Sequence, residues 1–325
     1  MNAIKTSSIA VTMCCLALAV PANAQTQPYP SRPVQVILGL APGSLMDTAA
    51  RIVAKGASQL AGVQFVVENK PGAGTMIASS YVAKARPDGY TLLLNGVAMS
   101  VNPSLYKEVP YDAARDFVPV AFLVNAPQIL VVHPSLGVNT LAEFLAKYRS
   151  SGKLNFAHPG AGTMPHLAAG LFQARSGLKM QLVPYKGGAP ALKDLIAGHV
   201  DLLFLTPVFK SHIDAGAVRA LAVASDERVE TLPNIPTFAE AGLPLPEISA
   251  GAWIGIVAPR GTPEAIVQKL NQTFNGVLQD PGVREEFKRI GQVPKAMTPE
   301  QFAAFMREDM KRWPAIIAAA GIKAQ

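Results

Sequence analysis

The chain of 325 residues carries 29 Lys and Arg against 22 Asp and Glu, a formal charge of +7, with 50% hydrophobic and only 16% charged residues. At roughly 100 to 200 residues per domain, that length predicts two domains with a cleft between them. The apolar share, with 26 Gly and 27 Pro spread along the length, excludes a disordered, collagenous or coiled-coil chain. No apolar run reaches the roughly 20 residues of a membrane span, so a multi-span membrane protein is excluded too.

The first segment reads as a secretory signal. Lys5 precedes an apolar run from Ile9 to Val20, and Pro21 with Ala22-Asn23-Ala24 supplies a small-x-small site for cleavage after Ala24. Both cysteines, Cys14 and Cys15, lie inside that leader and lack a lipoprotein context. The mature chain then has no cysteine. A chain this long builds its core without disulfides, which fits the periplasm better than a small secreted scaffold.

In chain order, short apolar runs at 34–40, 64–67, 91–94, 118–124 and 129–132 read as strands, followed by 154–157, 181–183, 202–205, 220–224 and 253–257. Helical patterns at 141–148, 190–197 and 263–278 alternate with them, which predicts α/β lobes with mainly parallel sheets. Thr262, Asp280 and Thr298 each precede a proline at a helix start and are expected N-caps. Ile266, Leu270, Phe274 and Val277 share one face, as do Phe302, Phe305 and Met306, and both stripes read as core. Lys288-Arg289 and Lys311-Arg312, with Glu285, Glu286, Glu308 and Asp309 nearby, read as solvated helix faces. No basic stripe with interleaved aromatics is present, so nucleic acid is not an expected partner.

The loops carry the functional signal. Pro71-Gly72-Ala73-Gly74-Thr75-Met76 recurs as Pro159-Gly160-Ala161-Gly162-Thr163-Met164, each copy after a strand and before a helical pattern. Such junctions expose backbone N–H groups at the positive end of a helix dipole, with Thr75 and Thr163 as N-cap candidates. The first strand ends in Ala41-Pro42-Gly43-Ser44-Leu45-Met46-Asp47, where Ser44 and Asp47 have capping-box spacing and Asp47 is a cap rather than a ligand contact. Asn95 and Gly96 close the third strand in the same way. No nucleophile elbow, zinc-protease helix, P-loop or full dinucleotide fingerprint occurs. His133, His158, His166, His199 and His212 have no metal-ligand spacing and read, His166 excepted, as surface or capping residues. No cofactor, metal or catalytic residue is expected.

Several stretches together carry a resemblance to a known family. They are Tyr29-Pro30-Ser31-Arg32-Pro33, Val66-Val67-Glu68-Asn69-Lys70-Pro71-Gly72-Ala73-Gly74, Ala85-Arg86-Pro87-Asp88-Gly89-Tyr90 and Pro110-Tyr111-Asp112. Further on come His166-Leu167-Ala168-Ala169, Val183-Pro184-Tyr185-Lys186-Gly187, Asp194-Leu195-Ile196-Ala197-Gly198 and Pro236-Thr237-Phe238-Ala239-Glu240-Ala241-Gly242. Essentially the whole chain resembles the Bug (TctC-type) receptors of tripartite tricarboxylate transporters. The resemblance implies a two-lobed, type II-like periplasmic binding fold with two crossing hinge strands, near 121–132 and 251–257. The lobes would be 25–125 with 251–325, and 126–250, after a signal at 1–24. It implies a monomer that binds a small carboxylate without catalysis and hands it to membrane permease subunits. The implied ligand residues are Pro42, Gly43, Ser44, Gly72, Gly74 and Asn95 in the first lobe, and His158, Gly160, Gly162, Thr163, His166 and Thr206 in the second. An exported enzyme of unrelated class and an orphan sensory binding protein remain the alternatives. Where the family reads Phe-Pro-Pro-Gly-Gly-Ser-x-Asp, this chain has Leu40-Ala41-Pro42-Gly43-Ser44-Leu45-Met46-Asp47, and Val97, Ala98 and Ala161 replace more polar residues. Those departures predict a less polar pocket and a ligand with an apolar or aromatic body.

Overall fold

The computed structural model describes residues 29–150, 154–160, 163–185, 187–249 and 251–319, so the leader and its cleavage site lie outside the described residues. The chain opens with β1 (Val34–Leu38), α1 (Leu45–Ala61), β2 (Phe65–Asn69), α2 (Met76–Ala83), β3 (Thr91–Gly96), α3 (Val97–Leu105) and β4 (Phe117–Asn125). After β4 come β5 (Gln128–Val132), α4 (Leu141–Tyr148), β6 (Leu154–His158), α5 (Met164–Ser176), β7 (Met180–Pro184), α6 (Gly188–Ile196), β8 (Leu202–Leu205), α7 (Lys210–Asp214) and β9 (Arg219–Ala224). The last elements are β10 (Ile254–Pro259), α8 (Glu264–Gln279), α9 (Pro281–Arg289), β11 (Val293–Pro294) and α10 (Pro299–Ala319).

Two sheets result, in the orders β11-β4-β10-β3-β1-β2 and β7-β6-β8-β5-β9, both flanked by helices. In the first, β1, β2, β3 and β4 run one way while β10 and β11 run the other. In the second only β5 is reversed. The two-lobed α/β architecture therefore holds, with the strands that follow a crossing, β5 and β10, inserted antiparallel among mainly parallel strands and β11 added antiparallel at one edge. The strands are apolar runs because both faces are covered: Val36, Ile37 and Leu38 of β1 and Ile129 to Val132 of β5 have no exposed surface.

The chain passes between the sheets twice. It leaves β4 at Asn125 and enters β5 at Gln128, and it returns through the long connection that ends at Trp253 before β10. At the crossing Ala126 and Ala252 exchange backbone hydrogen bonds of 3.1 and 3.0 Å. Gly251 makes this approach possible: its φ is +58°, and a Cβ there would stand 2.2 Å from the Ala126 carbonyl oxygen.

Caps explain where the C-terminal helices begin. Asp280 accepts from Val283 N at 2.9 Å, and Thr298 and Gln301 form a reciprocal capping box at 3.2 and 2.9 Å. Thr262 departs from expectation, because its hydroxyl turns back to donate to the Pro259 carbonyl at 2.8 Å. Both predicted apolar stripes are core, with Leu270, Phe274, Val277, Phe302 and Met306 buried. The Lys311-Arg312 segment is not simply a solvated face, for Asp309 is 2% exposed and Arg312 pairs with it. Phe302 and Met306 of α10 pack with the first sheet, while Trp313, Ile316 and Ile317 join the core of the second, so this helix spans both.

Gly251→Ala should cost roughly 1–3 kcal/mol, because the new methyl must displace the Ala126 carbonyl or the backbone must leave the left-handed region. Urea unfolding measures it, and an unchanged midpoint would contradict the tight crossing.

Candidate functional site

A cavity of about 490 Å³ lies at the crossing, where the carboxyl ends of β1 and β3 meet the start of α5. Ala126, Ala252, Trp253 and Ile254 line it from the crossing backbone. Leu40, Leu45 and Met46 enter from the loop after β1, Gly74 and Thr75 from the turn before α2, and Val97, Ala98, Val101 and Asn102 from α3. Leu105, Tyr106, Thr163, Met164 and Gln292 complete the wall. Among the described residues that line the cavity none is charged. The polar groups that remain are hydroxyls, amides and backbone.

The loop after β1 is organised by Asp47. Its carboxylate accepts from the Gly43 amide at 2.9 Å, from Arg51 Nε at 3.0 Å and from Asn69 Nδ2 at 2.9 Å. Ser44 Oγ accepts from Asp47 N at 3.2 Å, closing the N-cap of α1. Burial pushes the Asp47 carboxyl up, but Arg51 and the two amide donors outweigh it and hold the group below the usual carboxylate range. Asp47 is therefore the cap that its spacing predicts, 3% exposed and turned toward its own loop. Leu45, by contrast, is 40% exposed and lines the cavity instead of packing in the core.

The two glycine turns are built differently from their matching sequences. In the first, Ala73, Gly74 and Thr75 all have positive φ, and Thr75 at φ 74° is a β-branched residue in the left-handed region. Its hydroxyl does not cap α2 and instead accepts from Asn95 Nδ2 at 3.3 Å. Asn102 Nδ2 donates to the Gly74 carbonyl at 2.8 Å and so ties the turn to α3. In the second, Thr163 occupies the N-cap position of α5, but its hydroxyl donates to the Gly160 carbonyl at 2.7 Å.

The expected site residues are thus not all brought together. Gly74 and Thr163 line the cavity. Ser44 precedes the lining residues Leu45 and Met46, Asn95 buttresses Thr75 from within the core, and Gly160 holds Thr163. Pro42, Gly43 and Gly72 are exposed in the same loops, and Thr206 is half-buried at the start of a single helical turn away from the cavity wall. Gly162, with Ala161, lies outside the described residues. Tyr106, Trp253 and Gln292 were not expected; each arrives from a segment whose pattern reads as packing.

His158 and His166 are not surface residues. They are 4% and 8% exposed, and their rings stack 4.2 Å apart behind the second glycine turn. Burial lowers His166 to about 4, and the neighbouring His158 ring adds to the shift. Burial also lowers His158, with the Gly160 backbone opposing it. Both rings are neutral in the fold at neutral pH, whereas the unfolded chain takes up protons near the ordinary value of 6.5. Stability is therefore complete above pH 6.5 and should fall as the pH drops from 6.5 toward 4. His166→Phe should flatten that slope in unfolding measured across the window; an unchanged slope would contradict the burial of a neutral pair.

Comparison with known proteins identifies the fold and the family. Residues 49–322 match the family described as "Tripartite tricarboxylate transporter family receptor". BugT of Bordetella pertussis is 36% identical over 97% of each chain, and a protein from the tcbD-tcbE intergenic region of Pseudomonas sp. (strain P51) is 38% identical over 89% of this chain and 86% of its own. Among solved structures, R. palustris Rpa4515 with adipate has a TM-score of 0.74 at 33% identity, covering 91% of this chain and all of its own. MatC from Rhodopseudomonas palustris, with bound malate, has a TM-score of 0.70 at 32% identity, covering 89% of this chain and all of its own. The chain belongs to the tripartite tricarboxylate transporter receptor family and is a periplasmic solute-binding receptor of that family.

Proposed function

We propose that this receptor captures a carboxylate whose body is apolar, adipate-like or aromatic, and delivers it to membrane permease subunits without chemical change. The observation that carries this reading is the cavity wall: Leu45, Met46, Val97 and Ala98 face the space in which a ligand would sit, and no described lining residue is charged. A carboxylate end would be met by backbone amides at the starts of α1 and α5. A favourable helix terminus contributes roughly 0.3 to 1 kcal/mol, and up to about 2 when partly buried. The hydroxyl and third carboxylate of citrate, or the ammonium of glutamate, would lie against aliphatic side chains. Each unmet group costs about 1 to 3 kcal/mol, or roughly 5-fold to 150-fold in affinity. Each methylene of an apolar body instead contributes about 0.8 kcal/mol on burial. The relative solved with adipate supports an apolar-bodied ligand, while the one solved with malate marks the polar end of the range.

The same reading makes the mature protein a monomer that begins at Gln25, with residues 25–125 and 251–325 as one lobe and 126–250 as the other. The backbone around Ala126 and Ala252 would be the hinge.

Calorimetry on refolded, ligand-stripped protein tests the proposal with adipate and terephthalate against citrate, malate and glutamate. Adipate or terephthalate should bind at least about tenfold tighter than citrate and glutamate, a gap of roughly 1.4 kcal/mol. Citrate or glutamate binding tighter by the same factor would overturn the apolar-body reading.

A further inference from the structure

Both tryptophans of the chain end on one carboxylate oxygen. Trp253 Nε1 donates to Asp309 Oδ2 at 2.9 Å and Trp313 Nε1 donates to the same oxygen at 3.2 Å, while Arg312 pairs with Oδ1. The Asp309 side chain has no exposed surface, and the indoles are 1% and 0% exposed. Burying a carboxylate with one cation is rarely a net gain over an apolar packing of equal volume. What it supplies is a fixed geometry for the groups that share it.

Those groups belong to different parts of the molecule. Trp253 lines the ligand cavity two residues after Gly251, and its ring is fixed against Phe122, Phe302 and Phe305 at 5.6 to 6.3 Å between centroids. Trp313 does not line the cavity; it sits in the second core with Leu167 and Phe172 of α5, the helix whose first residue, Met164, is in the cavity wall. Asp309 stands between them on α10, five residues before Pro314, which cannot donate the helical hydrogen bond at its position. A rotation of the second sheet about the crossing would move the far end of α10 with α5, and Asp309 would carry that movement to the Trp253 ring.

We infer that Asp309 is a positioning residue of the ligand site, holding the cavity-wall indole of Trp253 in a placement that depends on the second lobe, against whose core Trp313 packs. The inference rests on the reading of this cavity as the ligand site, and it adds a residue that touches no ligand.

Fluorine NMR of the full chain labelled with 5-fluorotryptophan tests it, because two tryptophans give two lines, assigned with Trp253→Phe and Trp313→Phe. The cavity is filled in two ways, by adipate and by Ala98→Phe, the second of which needs no ligand. Filling the cavity should shift the Trp313 line as well as the Trp253 line in the wild type. In D309L the Trp253 shift should remain while the Trp313 shift is lost, and in D309N, which keeps the side-chain size if D309L fails to fold, it should fall by at least half. A Trp313 line that ignores Ala98→Phe in the wild type, or that still moves fully in both Asp309 variants, overturns the relay. Failure of adipate alone, with Ala98→Phe still moving both lines, counts against the ligand reading and supports the relay.

Discussion

Ala126 and Ala252 face each other where the chain crosses between its two sheets, and each donates its amide to the other's carbonyl. The rest of the architecture depends on this close approach. The second strand of passage reaches it only because Gly251 adopts a positive φ with no side chain between it and the Ala126 carbonyl. The same backbone floors the cavity, since Ala126, Ala252, Trp253 and Ile254 all line it. The crossing backbone and the cavity floor are thus one structure. A change of angle between the sheets must alter the shape of the cavity, which gives a ligand that prefers one shape the leverage to shift the population of states.

The cavity wall resolves an apparent conflict in the composition. The chain is basic overall, yet the described lining carries no cation. A carboxylate held by amide dipoles and hydroxyls needs no buried counter-charge, whose desolvation would offset much of its attraction. Removing charge from the wall also frees it for aliphatic contact. The loop after β1 illustrates this division: Asp47 and Arg51 satisfy each other and the loop backbone, while Leu45 and Met46 face the cavity.

Much of this was legible in the sequence, because buried strands are short apolar runs and their ends mark where α/β proteins bind ligands. The ten expected strands are present, and Leu45, Met46, Val97 and Ala98 line the cavity that their departures from the family pattern pointed to. What failed was decided by distant contacts. Thr75 and Thr163 stand where N-caps belong, but Thr75 is held in the left-handed region with its Cβ against Gly39, where an added methyl would approach to 2.5 Å. Asn95 then claims its hydroxyl. Asp309 carries charges as neighbours in sequence and two indoles as neighbours in space, and only the second fact determines its burial. Tyr106, Trp253 and Gln292 reach the cavity from elements far apart in the chain, with no local pattern to mark them.

The central claim is that an uncharged, largely aliphatic wall selects the body of the ligand. The most direct test is to make that wall polar with little change of volume, in the double variant Val97→Thr with Ala98→Ser, and to compare the citrate-to-adipate ratio of Kd with that of the wild type by calorimetry. The account predicts that the ratio falls by about tenfold, as two hydroxyls find partners on citrate and lose contact with methylenes. A ratio that stays the same, with both ligands still bound, would contradict it.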